Sequence, residues 1–210
     1  MKVTGNYIHP LLGMIRDANT LRQKEWANSD KITLDFRALE LVNEVGELVG
    51  ALKKYYRGEL GIAGSSSTLG HVAEEMGDVL TCWDLLRTAQ ADHMIENEDL
   101  DIARGSLSAD PLRMGLELAG AVGLWGEALI AFQDLPPHAN GSAETRVAYQ
   151  GERSLCIALQ LAEHLGLDPY ACWAEKFNAV SRKLGMSTWI DVGTGALSSD
   201  REEGQWSGYI

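Results

Sequence analysis

The sequence has few of the residues that build disulfide frameworks or zinc sites. Its 210 residues include only three cysteines, Cys82, Cys156 and Cys172, which are odd in number and widely spaced among apolar neighbours. The five histidines are scattered, and neither a CxxC nor an HExxH motif occurs. Reduced thiols are therefore expected, and a disulfide-rich fold and a zinc site are both disfavoured.

Positive charge is also scarce. The chain has 18 lysines and arginines against 30 aspartates and glutamates, which gives a formal net charge of -12. Nonspecific binding to nucleic acid or to an anionic membrane needs a basic surface, so neither is expected as a partner. An acidic chain is better suited to binding divalent cations.

Long apolar runs are missing from the sequence as well. We find none that approaches the roughly 18 residues needed to span a membrane, and residues 1–6 lack the apolar core of a signal peptide. A hydrophobic content of 45% is nevertheless enough to build a packed core. These features predict a globular protein of the cytoplasm that does not bind a membrane.

Helical periodicity dominates what is present. Apolar residues recur at helical spacing almost throughout, without convincing strand-like alternation, so the sequence predicts an all-α fold built as an antiparallel helical bundle. We expect one domain over residues 1–188 and an irregular tail over residues 189–210. A polar linker is expected at residues 96–110. The predicted helices cover, approximately, residues 10–26, 34–57, 71–91, 111–132, 147–164 and 169–183.

Turn and cap residues support these boundaries. The glycine and serine stretch at 61–70 is short enough to make the second and third helices antiparallel neighbours. Asp168 is the expected N-cap of the last helix, Pro169 its first residue and Gly185 the residue just past its end.

The two halves of the chain resemble each other. Residues 39–52 align without gaps with residues 116–129, mainly at apolar and glycine positions, and residues 72–86 align more weakly with residues 147–161. This similarity predicts that the hairpin at 111–164 is a degenerate copy of the hairpin at 34–91. The alternative is that two amphipathic hairpins merely look alike.

Four acidic residues border the apolar stripes of the second and third helices. Glu44 and Glu47 form one pair, and Glu75 and Asp78 form the other. Each pair is spaced i, i+3, which places both carboxylates on one helix face. If the helices pack antiparallel, the four carboxylates converge at the margin of the core, where their repulsion would be costly without a cation. Oxygen-rich sites of this kind suit Mg²⁺ or Mn²⁺.

A solvated helix face is the alternative interpretation, because glutamate is common at the border of an apolar stripe. The aligned second hairpin helps to weigh the two. It has Ala121, Leu124, Gln150 and Arg153 at the four acidic positions, while its apolar pattern persists. The acids are therefore not expected to be needed for the fold.

The acidic motifs resemble those of a known family, the MazG-like all-α nucleoside triphosphate pyrophosphatases. Glu44-Val45-Gly46-Glu47 is similar to the ExxE motif of this family, and Glu74-Glu75-Met76-Gly77-Asp78 is similar to its ExxD motif. Further similarity lies in residues 22–26, in Lys53-Lys54 and in residues 176–182. The resemblance covers roughly residues 7–92 and 160–188.

The resemblance implies an enzyme that hydrolyses a nucleoside or deoxynucleoside triphosphate to the monophosphate and pyrophosphate. Specificity for dUTP, dCTP or a purine deoxynucleotide stays open. By resemblance, Glu44, Glu47, Glu75 and Asp78 are both the catalytic residues and the ligands of Mg²⁺, for which Mn²⁺ is a possible substitute. The implied substrate-binding residues are Lys53, Lys54, Lys176 and Arg182 for the triphosphate, Asn178 for the sugar or base, and Trp26 for stacking on the base.

Structural interpretations of these residues, without a role in substrate binding, stay open too. Lys53 and Lys54 also complement the dipole at the end of their helix, and Trp26 is equally well explained as a core or lid residue. The non-enzymatic alternative is a helical interaction or regulatory protein with a decayed pyrophosphatase site.

Two features depart from the family pattern. Asn43 stands where many members have a glutamate assigned to activating water, so Glu40, Glu74 or the metal-bound water alone are the alternatives for that role. The second hairpin is an insertion between the third and last helices of the family. Because single-copy relatives typically dimerise, we hypothesise that this hairpin replaces a partner's helices. The expected assembly is a homodimer or a pseudo-dimeric single chain.

Overall fold

The described part of the chain is helical except for one two-stranded sheet, so the predicted all-α class is confirmed. The computed structural model describes residues 5–91, 108–135, 141–194 and 196–198. In chain order the elements are α1 (Gly5–Glu25), a 3-10 turn (Ser29–Lys31), α2 (Leu34–Glu59), α3 (Leu69–Ala91), α4 (Pro111–Gln133), α5 (Gly141–His164), α6 (Pro169–Leu184), β1 (Trp189–Ile190) and β2 (Leu197–Ser198).

Side-chain caps set the helix starts. The Thr33 hydroxyl accepts a hydrogen bond from the backbone N–H of Phe36 at the start of α2. Asp168 caps α6 in a similar way, followed by Pro169 in the first turn, and Gly185 ends that helix in the left-handed conformation with φ of 70°. The predicted cap, proline and terminal glycine of α6 are all confirmed.

The predicted helix bounds are least accurate at two starts. α5 begins at Gly141 rather than near residue 147, because Ala143 is also buried against the core and extends its apolar face. α1 begins at Gly5 and contains Pro10 inside its first turns. Most of the predicted linker at 96–110 lies outside the described residues.

α3 is the central helix of the fold. It forms an antiparallel hairpin with α2, as predicted, and it also packs against α1, α5 and α6. Because other helices surround α3, little of its surface is exposed to solvent. Even its polar side chains Glu75, Thr81 and Asp84 are buried. An acid on α3 is therefore held in a less hydrated place than an acid on an outer helix.

The second hairpin, α4–α5, packs on the first. α4 lies against α2 and α5 against α3. α4 is antiparallel to α2, because Gln133 near its end donates a hydrogen bond to Asp35 near the start of α2, whereas Gly115 near its start approaches Leu52. The shared core includes Leu41, Leu48, Met76, Leu80, Leu118, Val122, Trp125 and Leu155.

α4 differs from what the composition suggested. Over an 18-residue window its mean hydropathy is 1.4, so by length and composition it is the one described helix that could cross a membrane. The expectation that no segment approaches this length is therefore wrong for α4. Nearly half of that window is buried inside the bundle, and this burial accounts for the apolar composition.

The segment after α6 is not irregular throughout, as the sequence had suggested. β1 pairs antiparallel with β2, and two distant polar groups hold this hairpin. The Asn178 amide donates to the carbonyl of Ile190 at 2.7 Å and accepts from its N–H at 2.8 Å. The Glu25 carboxylate accepts hydrogen bonds from the backbone and hydroxyl groups of Ser187 and Thr188. Residues 199–210 of the predicted tail lie outside the described residues.

Candidate metal centre

Three of the four predicted acids meet where α2 packs on α3. Glu44, Glu75 and Asp78 each contribute one carboxylate oxygen to a group in which all oxygens lie within 4.8 Å of one another. The i, i+3 spacing aligns Glu75 with Asp78 on α3, and the antiparallel packing of α2 brings Glu44 opposite them. In the described part of the chain this is the one group of three or more acidic, histidine or cysteine side chains close enough to share a metal ion.

Glu47, the fourth acid, lies at the rim of this group. Its side chain is exposed, and its carboxylate accepts a hydrogen bond from the Asn43 amide at 3.0 Å. Its negative charge still reaches the other acids, because it raises the pKa of Glu44, Glu75 and Asp78. Its predicted role as a metal ligand stays a prediction.

Glu44 is held in an environment that disfavours its charge. Burial raises its pKa, and the negative charges of Asp78 and Glu47 raise it further, to about 7. A carboxylate so placed is stabilised by a cation more than a fully hydrated one would be.

Glu75 carries the most informative atom of the site. The residue is 7% exposed, and burial raises its pKa, whereas the charges of His71 and Lys176 lower it. Its Oε2 is buried without a hydrogen-bond partner among the described residues. An unpaired buried oxygen is unfavourable, so this atom lacks a cation or donor among the described residues. Oxygen donors in this number suit Mg²⁺, whose remaining positions are filled by water and phosphate.

Lys176 brings positive charge from α6 to the acids of α3. Its Nζ lies 2.7 Å from Oδ2 of Asp78. Burial raises the pKa of Asp78, and the hydrogen bond and charge of Lys176, together with the charge of Arg22, lower it. Burial lowers the pKa of Lys176, but the pairing with Asp78 outweighs burial, so the net shift is upward. Of the predicted phosphate-binding residues, Lys176 is the one that the structure brings to the acidic group.

Arg22 supports the site from α1, and the sequence assigned it no role. It is 4% exposed, its guanidinium lies 3.7 Å from the centre of the Phe177 ring, and Nη1 donates to the Phe177 carbonyl at 3.2 Å. Burial lowers its pKa to about 10, so it remains charged near neutral pH. The similarity of residues 22–26 to the family was the one sequence signal for a role of Arg22. Helical periodicity did not distinguish it from other polar residues.

His71 is a second residue that the sequence reasoning missed. Its Nδ1 lies 3.4 Å from Oε1 of Glu75 and 3.7 Å from Oε2 of Glu74. The signal was available, because His71 precedes Glu75 by four residues on the same helix face.

Lys53 and Lys54 lie farther along α2. Lys54 follows Glu47 by seven residues, which places it two turns away on the same side, about 10 Å along the axis. In the part of the chain that the structure describes, neither lysine forms an ion pair. Both are therefore available to an anionic ligand, and their role in binding the triphosphate stays a prediction.

The remaining predicted substrate residues differ in their surroundings. Asn178 uses its amide to hold Ile190, so a structural role is visible for it, and its role as a ligand of sugar or base stays a prediction. Arg182 is exposed in the last turn of α6. Trp26 follows the end of α1 and is 37% exposed, so the alternative of a core tryptophan is wrong.

The two alternative bases are unequally available. The Glu40 carboxylate accepts from Nη1 of Arg37 at 2.8 Å, and the same guanidinium also donates to Gln23 of α1. Glu74 has a 65% exposed side chain. Neither belongs to the group of oxygens within 4.8 Å.

The equivalent positions of the second hairpin hold no acidic group. Ala121 is buried, Leu124 is exposed, and Gln150 and Arg153 are half-buried. Acidic convergence is therefore a property of the first hairpin alone among the described residues.

Comparison of the chain with protein-family models, with curated proteins and with solved structures finds no match. The resemblance to the MazG-like family consequently rests on the sequence motifs alone.

Proposed function

We propose that this protein is a MazG-like nucleoside triphosphate pyrophosphohydrolase that depends on Mg²⁺. The observation that carries the proposal is the convergence of Glu44, Glu75 and Asp78 within 4.8 Å, together with the unpartnered buried oxygen of Glu75. Such an arrangement is unfavourable for the folded chain on its own, and a divalent cation removes the penalty.

Glu44, Glu75 and Asp78 would hold the ion, with Mn²⁺ as a substitute. When bound, the ion neutralises phosphate charge and lowers the pKa of an attacking water. Lys176 supplies a further positive charge beside Asp78, and Lys53, Lys54 and Arg182 are the candidates for the outer phosphates. Positioning and charge neutralisation contribute most to catalysis of phosphoryl and nucleotidyl transfer.

The chemical step is hydrolysis at the α-phosphate. The oxygen of water forms a bond to the α-phosphorus, the bond to the oxygen bridging the α- and β-phosphates breaks, and its electron pair leaves with pyrophosphate. The proton of the water passes to a carboxylate. Of the two alternative carboxylates, Glu74 is the more available for this role, because its side chain is 65% exposed. Glu40 is less suitable, since Arg37 already pairs with it.

Product analysis tests the proposal. The purified protein is incubated with each common ribo- and deoxyribonucleoside triphosphate, with Mg²⁺ or with EDTA, and the products are separated by chromatography. We expect monophosphate and pyrophosphate in Mg²⁺ only, without a diphosphate intermediate. Glu127→Gln, a change of an exposed glutamate on α4, is the matched control and should keep full turnover. The proposal is wrong if no triphosphate is hydrolysed by freshly folded protein.

We further propose that α4–α5 is a degenerate copy of α2–α3 that replaces the helices of a partner subunit. Equivalent residues support this, because Leu41 and Leu118 are both buried, as are Val45 and Val122. Packing of α4 on α2 and of α5 on α3 also supports it. Measurement of mass in solution tests the idea: an active monomer is expected, and activity confined to a dimer would contradict it.

A non-catalytic interaction protein is the second candidate, and one observation favours it. Large apolar side chains are exposed on the outer sides of α2 and α4, with Leu39 at 68%, Leu116 at 66% and Ile130 at 62%. A contiguous apolar patch is typical of a surface that binds another protein. Thermal unfolding with and without Mg²⁺ separates the two candidates, because a ligand that binds only the folded state raises the apparent stability.

A further inference from the structure

α3 and α6 touch at the level of their backbones at Gly77. A Cβ atom placed on Gly77 would lie 2.4 Å from the carbonyl oxygen of Cys172 and 2.6 Å from the Cβ of Lys176. Both distances are far below normal contact, and neither neighbouring atom is the end of a flexible side chain. Hydrogen is therefore the largest group that fits at position 77 without a shift of one helix.

This contact lies inside the acidic site. Gly77 directly precedes Asp78. The Cβ of Lys176 packs against Gly77, and the Lys176 ammonium lies 2.7 Å from the Asp78 carboxylate. Cys172 and Lys176 are one turn apart on α6, so a single face of that helix makes the whole contact. The distance between the two helices thus fixes whether Lys176 reaches the acids.

We propose that Gly77 is a positioning residue, which lets α6 approach closely enough for Lys176 to act as an internal counter-cation of the acidic group. Lys176 then competes with a divalent cation for Asp78. With a cation held by the acids, Lys176 would instead pair with the phosphates of the substrate. This last step rests on the proposed function, whereas the dependence of Lys176 on Gly77 does not.

Two other helical glycines do not share this requirement. Gly46 occupies the corresponding place in the first acidic motif, yet a Cβ there would meet nothing within 4 Å. The same holds for Gly123 on α4. Gly123→Ala is therefore a matched control, since it makes the same chemical change within a helix but in open space.

A double-mutant cycle in thermal stability tests the dependence without any ligand. Gly77→Ala, Lys176→Met and the double variant are compared with the unchanged protein. We expect Gly77→Ala to lower Tm and Gly123→Ala to leave Tm unchanged or raise it, because alanine favours the helix over glycine. Lys176→Met should change Tm less in the Gly77→Ala background than alone. Equal changes in the two backgrounds would overturn the proposal.

Calorimetric titration with Mn²⁺ tests the counter-cation role. Lys176→Met should bind Mn²⁺ about three- to tenfold more tightly, since removing a like charge near the ion lowers repulsion, and Gly77→Ala should shift affinity in the same direction. A merely structural role of Gly77 would weaken binding or leave it unchanged, and either result overturns the proposal. If Gly77→Ala does not fold, Lys176→Met decides alone, and unchanged or weaker Mn²⁺ binding is then the overturning result. If the unchanged protein binds no Mn²⁺, the proposed function fails, and the stability cycle still decides whether Gly77 positions Lys176.

Discussion

The two helical hairpins of this chain have the same packing pattern but different chemistry. In α2 and α4, equivalent residues are buried or exposed together: Leu39 and Leu116 are both exposed, whereas Leu48 and Trp125 are both buried. The first hairpin adds a group of acids that the second lacks. The comparison teaches that this packing pattern does not require acids at these positions.

Surroundings also differ between the hairpins. α3 packs against α1 and α6, which bring Arg22 and Lys176 to its acids, whereas α5 has only slight contact with α6. Positive charge therefore reaches the hairpin that carries the acids. The difference in sequence and the difference in neighbours therefore both distinguish the hairpin that carries the acids.

Loss of turnover is the largest effect that we expect. Glu44→Gln and Asp78→Asn should each lower turnover at least about 100-fold, a scale typical of losing a main electrostatic contact in the transition state, while helical content by circular dichroism stays nearly unchanged. Without metal, Glu44→Gln should be at least as stable as the unchanged protein, because burial and repulsion already disfavour its charge. Unfolding of either variant would show that the acids are structural.

Substitution of buried core residues should have the next largest effect. Two of the variants place residues of the first hairpin at the equivalent positions of the second. The ring of Trp125 packs so closely on Gly151 that a Cβ there would lie 3.0 Å from it, whereas the first hairpin has Leu48 and Met76 at the equivalent positions. Trp125→Ala should lower the free energy of unfolding by about 3–5 kcal/mol, measured by urea denaturation. Trp125→Leu combined with Gly151→Met should be more stable than Trp125→Leu alone. A less stable double variant would contradict the equivalence of these positions.

Metal binding should stabilise the first hairpin and, through it, the whole fold. At a Mg²⁺ concentration 100 times Kd, the stabilisation should be about 2.7 kcal/mol, and EDTA should remove it. Differential scanning calorimetry should show this rise in the unchanged protein and in Glu127→Gln, but not in Asp78→Asn. An equal rise in all three proteins would mean that the ion binds elsewhere.

Removal of the Glu25 carboxylate, which links α1 to Ser187 and Thr188 after α6, should give the smallest effect. Burial by itself would raise the pKa of Glu25, but hydrogen bonds from Thr188 and Ser187 outweigh burial and lower it to about 2. Its stabilising contribution is therefore complete above the unfolded-state value near 4.5 and is lost as pH falls through about 2. Because the carboxylate is exposed, Glu25→Gln should cost only about 1 kcal/mol at neutral pH. The difference in Tm between the two proteins should shrink as pH is lowered, and a constant difference would count against this role.

Helical periodicity, caps and motif spacing were readable from the sequence because they depend on residues close together in the chain. The bounds of α2, α3, α4 and α6, the cap at Asp168 and the antiparallel α2–α3 hairpin all followed from such signals. The strands after α6 did not, since the groups that hold them, Glu25 and Asn178, are brought there by other helices.

The sequence by itself determined the all-α class and placed each pair of acids on one helix face, because a period of 3.6 residues fixes which side chains share a face. Only the tertiary structure decided that Glu44 joins Glu75 and Asp78 while Glu47 stays at the rim. It also decided that Lys176 reaches Asp78, that the charge of Arg22 acts on Asp78 and that Gly77 allows α6 to approach. These outcomes depend on which helices pack together and how closely, and local spacing carries no information about that.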